Sequence, residues 1–259
     1  MKTTHTWRIG AVPYLNVAPL VWEIERYEKE VVVIKAPPRT LAKMLNDRII
    51  DVGILPTYEY LTRDDYSYVP KICISSNGPV KSVKVYCSVP IERARSLLLT
   101  QSSKTSVALF KILIKERFRI APSLTLSDKP MSEYSHLPSG YDGYLVIGDL
   151  AMRLEGTFPY AYDLGEEWKE MTGLPFVFAL WAYPKEKESK RIIEIITDCK
   201  NAGMANLNAV AEKGATATGL PFELCYSYLS ETMEYVFDSE KKVSMARFKT
   251  LLLQHEINV

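Results

Sequence analysis

Short β-branched runs, two of them closed by proline and each followed by a segment of helical spacing, constrain this chain more than any other feature. Arg8-Ile9-Gly10-Ala11-Val12 stops at Pro13, after which Tyr14 to Leu20 turns toward a helix. Val31-Val32-Val33-Ile34 precedes Thr40, which opens a helix with Leu41, Met44 and Leu45 on one face. Asp51-Val52-Gly53-Ile54-Leu55 then closes at Pro56. Proline cannot donate to a ladder, so it marks where a strand ends. Strands joined through helices run parallel and need cover on both faces, which predicts an α/β fold with a mostly parallel sheet.

The rhythm then starts over. Ser82 to Val89 alternates as a strand and Ser96-Leu97-Leu98-Leu99-Thr100 opens a second set. A helix over 105–118, the strand Leu124-Thr125-Leu126 and the apolar run Gly143 to Ile147, ending at Gly148-Asp149, complete a second α/β lobe. Phe176 to Tyr183 is too long and apolar for a loop and reads as a strand returning the chain to the first lobe. Helical spacing over 187–213, a helix opened by Leu220-Pro221, the short strand Glu234 to Phe237 and a closing helix from Val243 to Glu256 are expected to pack there too. The expected division is a discontinuous lobe of 1–87 and 181–259 with an inserted lobe of 88–180.

The 259 residues, 47% hydrophobic and 24% charged, suit a compact globular protein. A formal net charge of +1 offers no broad field for gripping nucleic acid or an anionic membrane, which leaves small-molecule work as the better expectation. Met1 to Arg8 lacks the apolar segment of a secretory signal, and no run approaches the length of a membrane span, so a cytoplasmic protein is expected. Cys73, Cys87, Cys199 and Cys225 are scattered without metal-ligand spacing and read as reduced thiols in or near the core. His5, His136 and His255 show no ligand spacing either, so no metal is expected.

Ser102-Ser103-Lys104-Thr105-Ser106 runs into the apolar Val107 to Ile114, placing hydroxyls where a helix begins. Unpaired N–H groups and the positive end of the dipole make such a place an anion cradle, suited to a carboxylate. In isolation, Ser103 or Thr105 serving only as a helix cap is the simpler account. In open α/β sheets ligands gather beyond the carboxyl ends of strands and between domains. Asn16, Pro56-Thr57, the loop before Ser82, the hydroxyl cluster and Gly148-Asp149 all occupy such positions and are expected to face one cleft.

Taken together, several segments resemble a known family. These are Arg8 to Asn16, Asp51 to Pro56 with Glu59-Tyr60-Leu61, Gly78-Pro79-Val80-Lys81-Ser82-Val83, Ser102 to Val107, Ile147-Gly148-Asp149-Leu150-Ala151, and Tyr162 to Trp168 continuing through Thr172 to Trp181. In that order they resemble the chorismate dehydratases of the futalosine route to menaquinone, over nearly the whole chain. The resemblance implies a two-lobed fold like type II periplasmic binding proteins. It implies a hydro-lyase that converts chorismate, a small dicarboxylate, to 3-[(1-carboxyvinyl)oxy]benzoate without a cofactor.

It further implies that Asn16 matches the family's catalytic asparagine. An amide is a poor base, so Asn16 would orient the substrate or its departing hydroxyl, with the substrate's own enolpyruvyl carboxylate available to take the proton. Ser82, Ser103, Thr105, Ser106 and Gly148 would bind substrate. Glu59 and Asp149 are the nearest acidic residues, but local pairing accounts equally well for the first and helix capping better for the second. The chain departs from the family pattern at Thr100-Gln101, where an acidic residue is expected, and at Asn77 and Tyr86-Cys87. A solute-binding or sensory protein, and the related 1,4-dihydroxy-6-naphthoate synthase, are the alternatives a shared fold leaves open.

Overall fold

The computed structural model describes residues 6–259. In chain order come β1 (Trp7–Ala11), a 3₁₀ helix (Leu15–Val21), β2 (Val31–Lys35), α1 (Pro38–Asn46), β3 (Val52–Pro56), α2 (Thr57–Leu61), β4 (Tyr66–Ser76), β5 (Val83–Cys87) and β6 (Ser96–Leu99). They are followed by α3 (Lys104–Leu113), β7 (Ser123–Leu126), β8 (Gly143–Ile147), α4 (Asp149–Arg153), β9 (Tyr160–Asp163), α5 (Leu164–Thr172) and β10 (Phe176–Pro184). The chain closes with α6 (Lys190–Ala205), α7 (Leu207–Thr218), α8 (Phe222–Ser227), β11 (Glu234–Val236) and α9 (Ser239–Gln254). These elements form two compact units, one holding the residues through Ile74 with Ala179–Phe237, the other Ser75–Phe178 with Asp238–Val259.

The first unit is built on a six-stranded sheet in the order β11-β4-β10-β3-β1-β2. β1 runs parallel to β2 and β3, as the strand–helix rhythm requires, whereas β10 returns antiparallel to β3 with Leu180 opposite Leu55. β3 is buried on both faces, the signature of a covered central strand. At the foot of β1 the buried Asp51 carboxylate accepts from the Arg8 backbone N–H and from its Nε and Nη2, each at 3.0 Å. Burial opposes ionisation, but the Arg8 donors and the Lys187 charge outweigh it and hold Asp51 below the usual carboxylate range. A depressed carboxyl stabilises the fold above its unfolded value, and that stability is lost as pH falls through the lower folded value. Asp51→Asn is therefore expected to cost about 2–3 kcal/mol, less than a fully buried pair because Arg8 is partly exposed. Urea melts from pH 7 down to pH 3 should show the gap to wild type closing in acid.

The second unit carries a five-stranded sheet in the order β7-β6-β8-β5-β9. β6 is parallel to β7 and β8, while β5 is antiparallel to β8 and β9. α3, apolar almost all round, is buried along most of its length. Trp168 of α5, Phe176 of β10 and Phe248 of α9 meet edge to face at centroid distances of 5.1–6.0 Å. The Trp168 Nε1–H donates to Ser244 Oγ at 3.2 Å, and the Ser244 hydroxyl donates to the Pro175 carbonyl.

The observed division differs from the expected boundaries at 87/88 and 180/181. β5 pairs with β8 and β9 and so belongs to the second unit, as does α9, whose apolar stripe meets Trp168 and Phe176. The strand that leaves the first unit is β4, absent from the sequence reading because Pro70 and the left-handed Lys71 (φ 63°) interrupt its pattern. Among the described residues no helix is long and apolar enough to cross a membrane. All four cysteines are buried, and burial pushes the Cys87 thiol up to about 12 and Cys199 to about 11.

Candidate functional site

The register of the second sheet gathers the expected substrate-binding residues at one end. Leu99 lies beside Leu145 and Leu126, so the parallel strands β6, β7 and β8 finish together. β5 runs the other way with Val83 opposite Ile147, and β9 ends at Asp163 opposite Lys84. Ser127, Thr100, Gly148, Ser82 and Asp163 therefore form a row along the sheet, and α3, α4 and α5 all begin from it. This is the carboxyl-end position at which α/β sheets take ligands.

Ser82 is buried, and its carbonyl accepts from the Gly148 N–H at 2.8 Å, so these two are direct neighbours. Gly148 has φ 70° and ψ −155°, a region closed to residues with a Cβ. Gly148→Ala is expected to lower stability by about 1–3 kcal/mol, read from the midpoint of chemical denaturation. Asp149 occupies the first turn of α4 and the cap position falls to Gly148, which corrects the expected capping role of Asp149. Its charge there favours the helix through the dipole.

At α3 the capping reading of the hydroxyl cluster falls on Ser103. Ser103 is the N-cap: its Oγ accepts from the Ser106 N–H at 3.3 Å and from the Ser106 hydroxyl at 3.0 Å. Thr105 and Ser106 are buried in the first turn. The preceding turn is held by hydroxyls, with Thr100 Oγ1 accepting from the Ser102 N–H and Ser127 Oγ from the Gln101 N–H. Thr100, one of the departures from the family pattern, thus holds the turn that leads into α3. Tyr86 and Cys87 are core residues: the Tyr86 hydroxyl donates to the Ala151 carbonyl at 2.6 Å, and Cys87 Sγ fills the space over Gly143.

Sequence reasoning gave no role to Asp163. Its Oδ1 accepts from the N–H groups of Val80 at 2.9 Å, Gly165 at 3.0 Å and Glu166 at 3.3 Å, and its Oδ2 from Lys81 at 2.6 Å. Burial pushes this carboxyl above its ordinary value, while those amides and the Lys84 charge draw it back. The local signal was an aspartate directly before an apolar-acidic helix start, the pattern of an N-cap. Its bonds to residues 80 and 81 have no local signature.

Asn16 lies in the first unit, on the 3₁₀ helix that follows β1. Pro19 inside that helix has no N–H to give, in keeping with a short tight element in place of an α-helix. The Asn16 Oδ1 is buried and has no hydrogen-bond partner among the described residues. Such an oxygen is costly to leave unpaired and is a plain acceptor for a donor brought by a ligand. A cavity of about 370 Å³ also borders this helix, lined by Tyr14, Leu15, Trp22 and Lys213 but not by Asn16. Glu59 sits half-buried on α2. His136 is exposed, His255 contacts Glu116 at 2.5 Å, and His5 lies outside the described residues.

A family described as menaquinone biosynthesis matches this chain over residues 7–253. The chain is 30% identical over 242 residues to a chorismate dehydratase of Thermus thermophilus, covering 85% of this chain and 86% of that protein. Among solved structures, a protein of Archaeoglobus fulgidus superposes with a TM-score of 0.80 at 14% identity, covering 98% of this chain and 99% of the other. A Candida albicans protein, described as exhibiting the generic periplasmic binding protein fold, superposes with a TM-score of 0.69 at 12% identity, covering 98% and 91%. The fold is thus of the periplasmic-binding-protein type, with an α/β sheet in each unit.

Proposed function

From the premise that this chain belongs to the menaquinone-biosynthesis family, we propose that it is a hydro-lyase converting chorismate to 3-[(1-carboxyvinyl)oxy]benzoate on the futalosine route. The ring loses its hydroxyl and a hydrogen from the neighbouring carbon; together they leave as water, and the diene becomes an arene. No electrons are exchanged with a second reactant. The ring carboxylate acidifies the departing hydrogen through the diene, so donors that grip this carboxylate more tightly as charge moves onto it lower the barrier.

The observation that carries this reading is the Oδ1 of Asn16, buried and without a hydrogen-bond partner among the described residues, in the residue that the resemblance aligns with the family's catalytic asparagine. As an acceptor it suits the O–H of the departing hydroxyl, and its NH₂ supplies a donor. Ser82, Ser103, Thr105, Ser106 and Gly148 are proposed to bind substrate. The α3 N-terminus, with its dipole, its hydroxyls and Lys104 as its first residue, suits a carboxylate. The proposed compartment is the cytoplasm, in keeping with four buried thiols that need no oxidising environment.

The test is incubation of purified protein with chorismate, the product separated by chromatography and identified by mass. Loss of one water and appearance of a benzenoid spectrum are expected. Quenching of tryptophan fluorescence by chorismate without product would instead indicate a binding protein.

A further inference from the structure

Ser82 follows an unusual turn. Its N–H donates to the Val80 carbonyl at 2.6 Å, closing a three-residue ring around Lys81, whose φ is +60°. An i to i+2 bond across a residue of positive φ has the character of the rare, strained γ-turn, and lysine has a Cβ that resists it. Strain of this kind persists only where the surroundings over-determine it. One carboxylate meets both amides of this turn: Asp163 takes the Val80 N–H on one oxygen and the Lys81 N–H on the other, and the same side chain caps α5 through Gly165 and Glu166. The helix start sits hard on the turn, since a Cβ on Gly165 would lie 2.5 Å from the Gly78 carbonyl oxygen.

We propose that Asp163 is a positioning residue for substrate binding: it holds the strained turn at Lys81 and so fixes Ser82 beside Gly148. The proposal rests on the substrate-binding role given to Ser82 above. Asp163 touches no substrate in this account and acts through the backbone of residues 80–82.

The test uses the full chain as Asp163→Asn, Lys81→Gly and the double variant. Asparagine caps a helix as well as aspartate, so α5 is retained, but its NH₂ would meet the Lys81 N–H donor to donor. The KM for chorismate is expected to rise about tenfold with kcat within about twofold, the effect of one charge-assisted hydrogen bond on ground-state and transition-state binding alike. Amide exchange should accelerate at residues 80–82 and stay unchanged in α5. Lys81→Gly alone should leave KM unchanged, and added to Asp163→Asn it should restore most of the affinity, because glycine takes φ +60° without strain.

Unchanged KM and exchange in Asp163→Asn, or a rise in KM that Lys81→Gly does not relieve, would overturn the proposal. If wild type fails to convert chorismate, the functional reading falls, and the exchange data alone decide whether Asp163 holds the turn. Should Asp163→Asn not fold, Lys81→Val keeps every backbone donor and the carboxylate but strains the same φ further, and must raise KM in its place.

Discussion

Asn16→Ala is expected to abolish measurable turnover of chorismate, a fall of at least about 10²–10³ in kcat, while the protein remains folded and becomes no less stable. The two halves of this expectation have one cause. The side-chain oxygen is buried and accepts no hydrogen bond from the described residues, so it contributes none of the fold's own hydrogen bonds. Truncation therefore breaks no such bond within the fold while it removes the group proposed to meet substrate. A residue kept for packing behaves the other way, losing stability first and activity as a consequence. The measurement pairs kcat with the urea midpoint. A midpoint shifted up or unchanged with turnover gone is the expected pattern; turnover retained near wild type would remove Asn16 from the chemistry. Asn16→Asp sharpens the point, since it keeps the shape and the acceptor but loses the donor and adds a charge, and activity should be lost there too.

How much of this was legible beforehand depended on whether the information was local. β1 and β3 were readable because their apolar runs are bounded by Pro13 and Pro56, and the α3 start because hydroxyls precede a largely apolar helix. The place of α9 was not readable: an apolar stripe says that a helix packs, and not that Phe248 will find Trp168. β9 escaped notice because Tyr160 and Ala161 are exposed and carry no core pattern. The candidate residues were located through loops at strand ends, and the sheet register does bring Ser82 beside Gly148. The supports of those residues were invisible for a common reason. Asp163 reaches Val80 and Lys81, and Gly203 reaches Pro19, across large separations in sequence, and neither pairing leaves a trace in spacing or propensity.

Gly203→Ala is expected to be the most damaging conservative change outside the candidate site. In the interior of a helix such as α6, alanine is favoured over glycine by about 1 kcal/mol, so on propensity alone the variant would be more stable. The contact decides against it. A Cβ on Gly203 would lie 2.1 Å from the Pro19 carbonyl oxygen and 2.7 Å from its carbonyl carbon and Cα, all backbone atoms with no rotamer to yield. Overpacking of this kind costs about 1–3 kcal/mol or more, which outweighs the helix gain. The strain falls on the 3₁₀ helix that carries Asn16, and displacing a reacting group by about 1 Å is enough to lower turnover about 100-fold. Gly214→Ala provides the control on the same 3₁₀ helix, since there the added Cβ meets only Leu15 Cδ1 at 2.4 Å, with the next atom at 3.8 Å. The end of a leucine side chain can rotate aside, so stability should change by less than about 1 kcal/mol and kcat by no more than a few-fold. Urea melts and kcat measured on both variants separate the cases. If Gly203→Ala matches Gly214→Ala in both, the close approach of α6 to the Asn16 helix is not what sets the position of the asparagine.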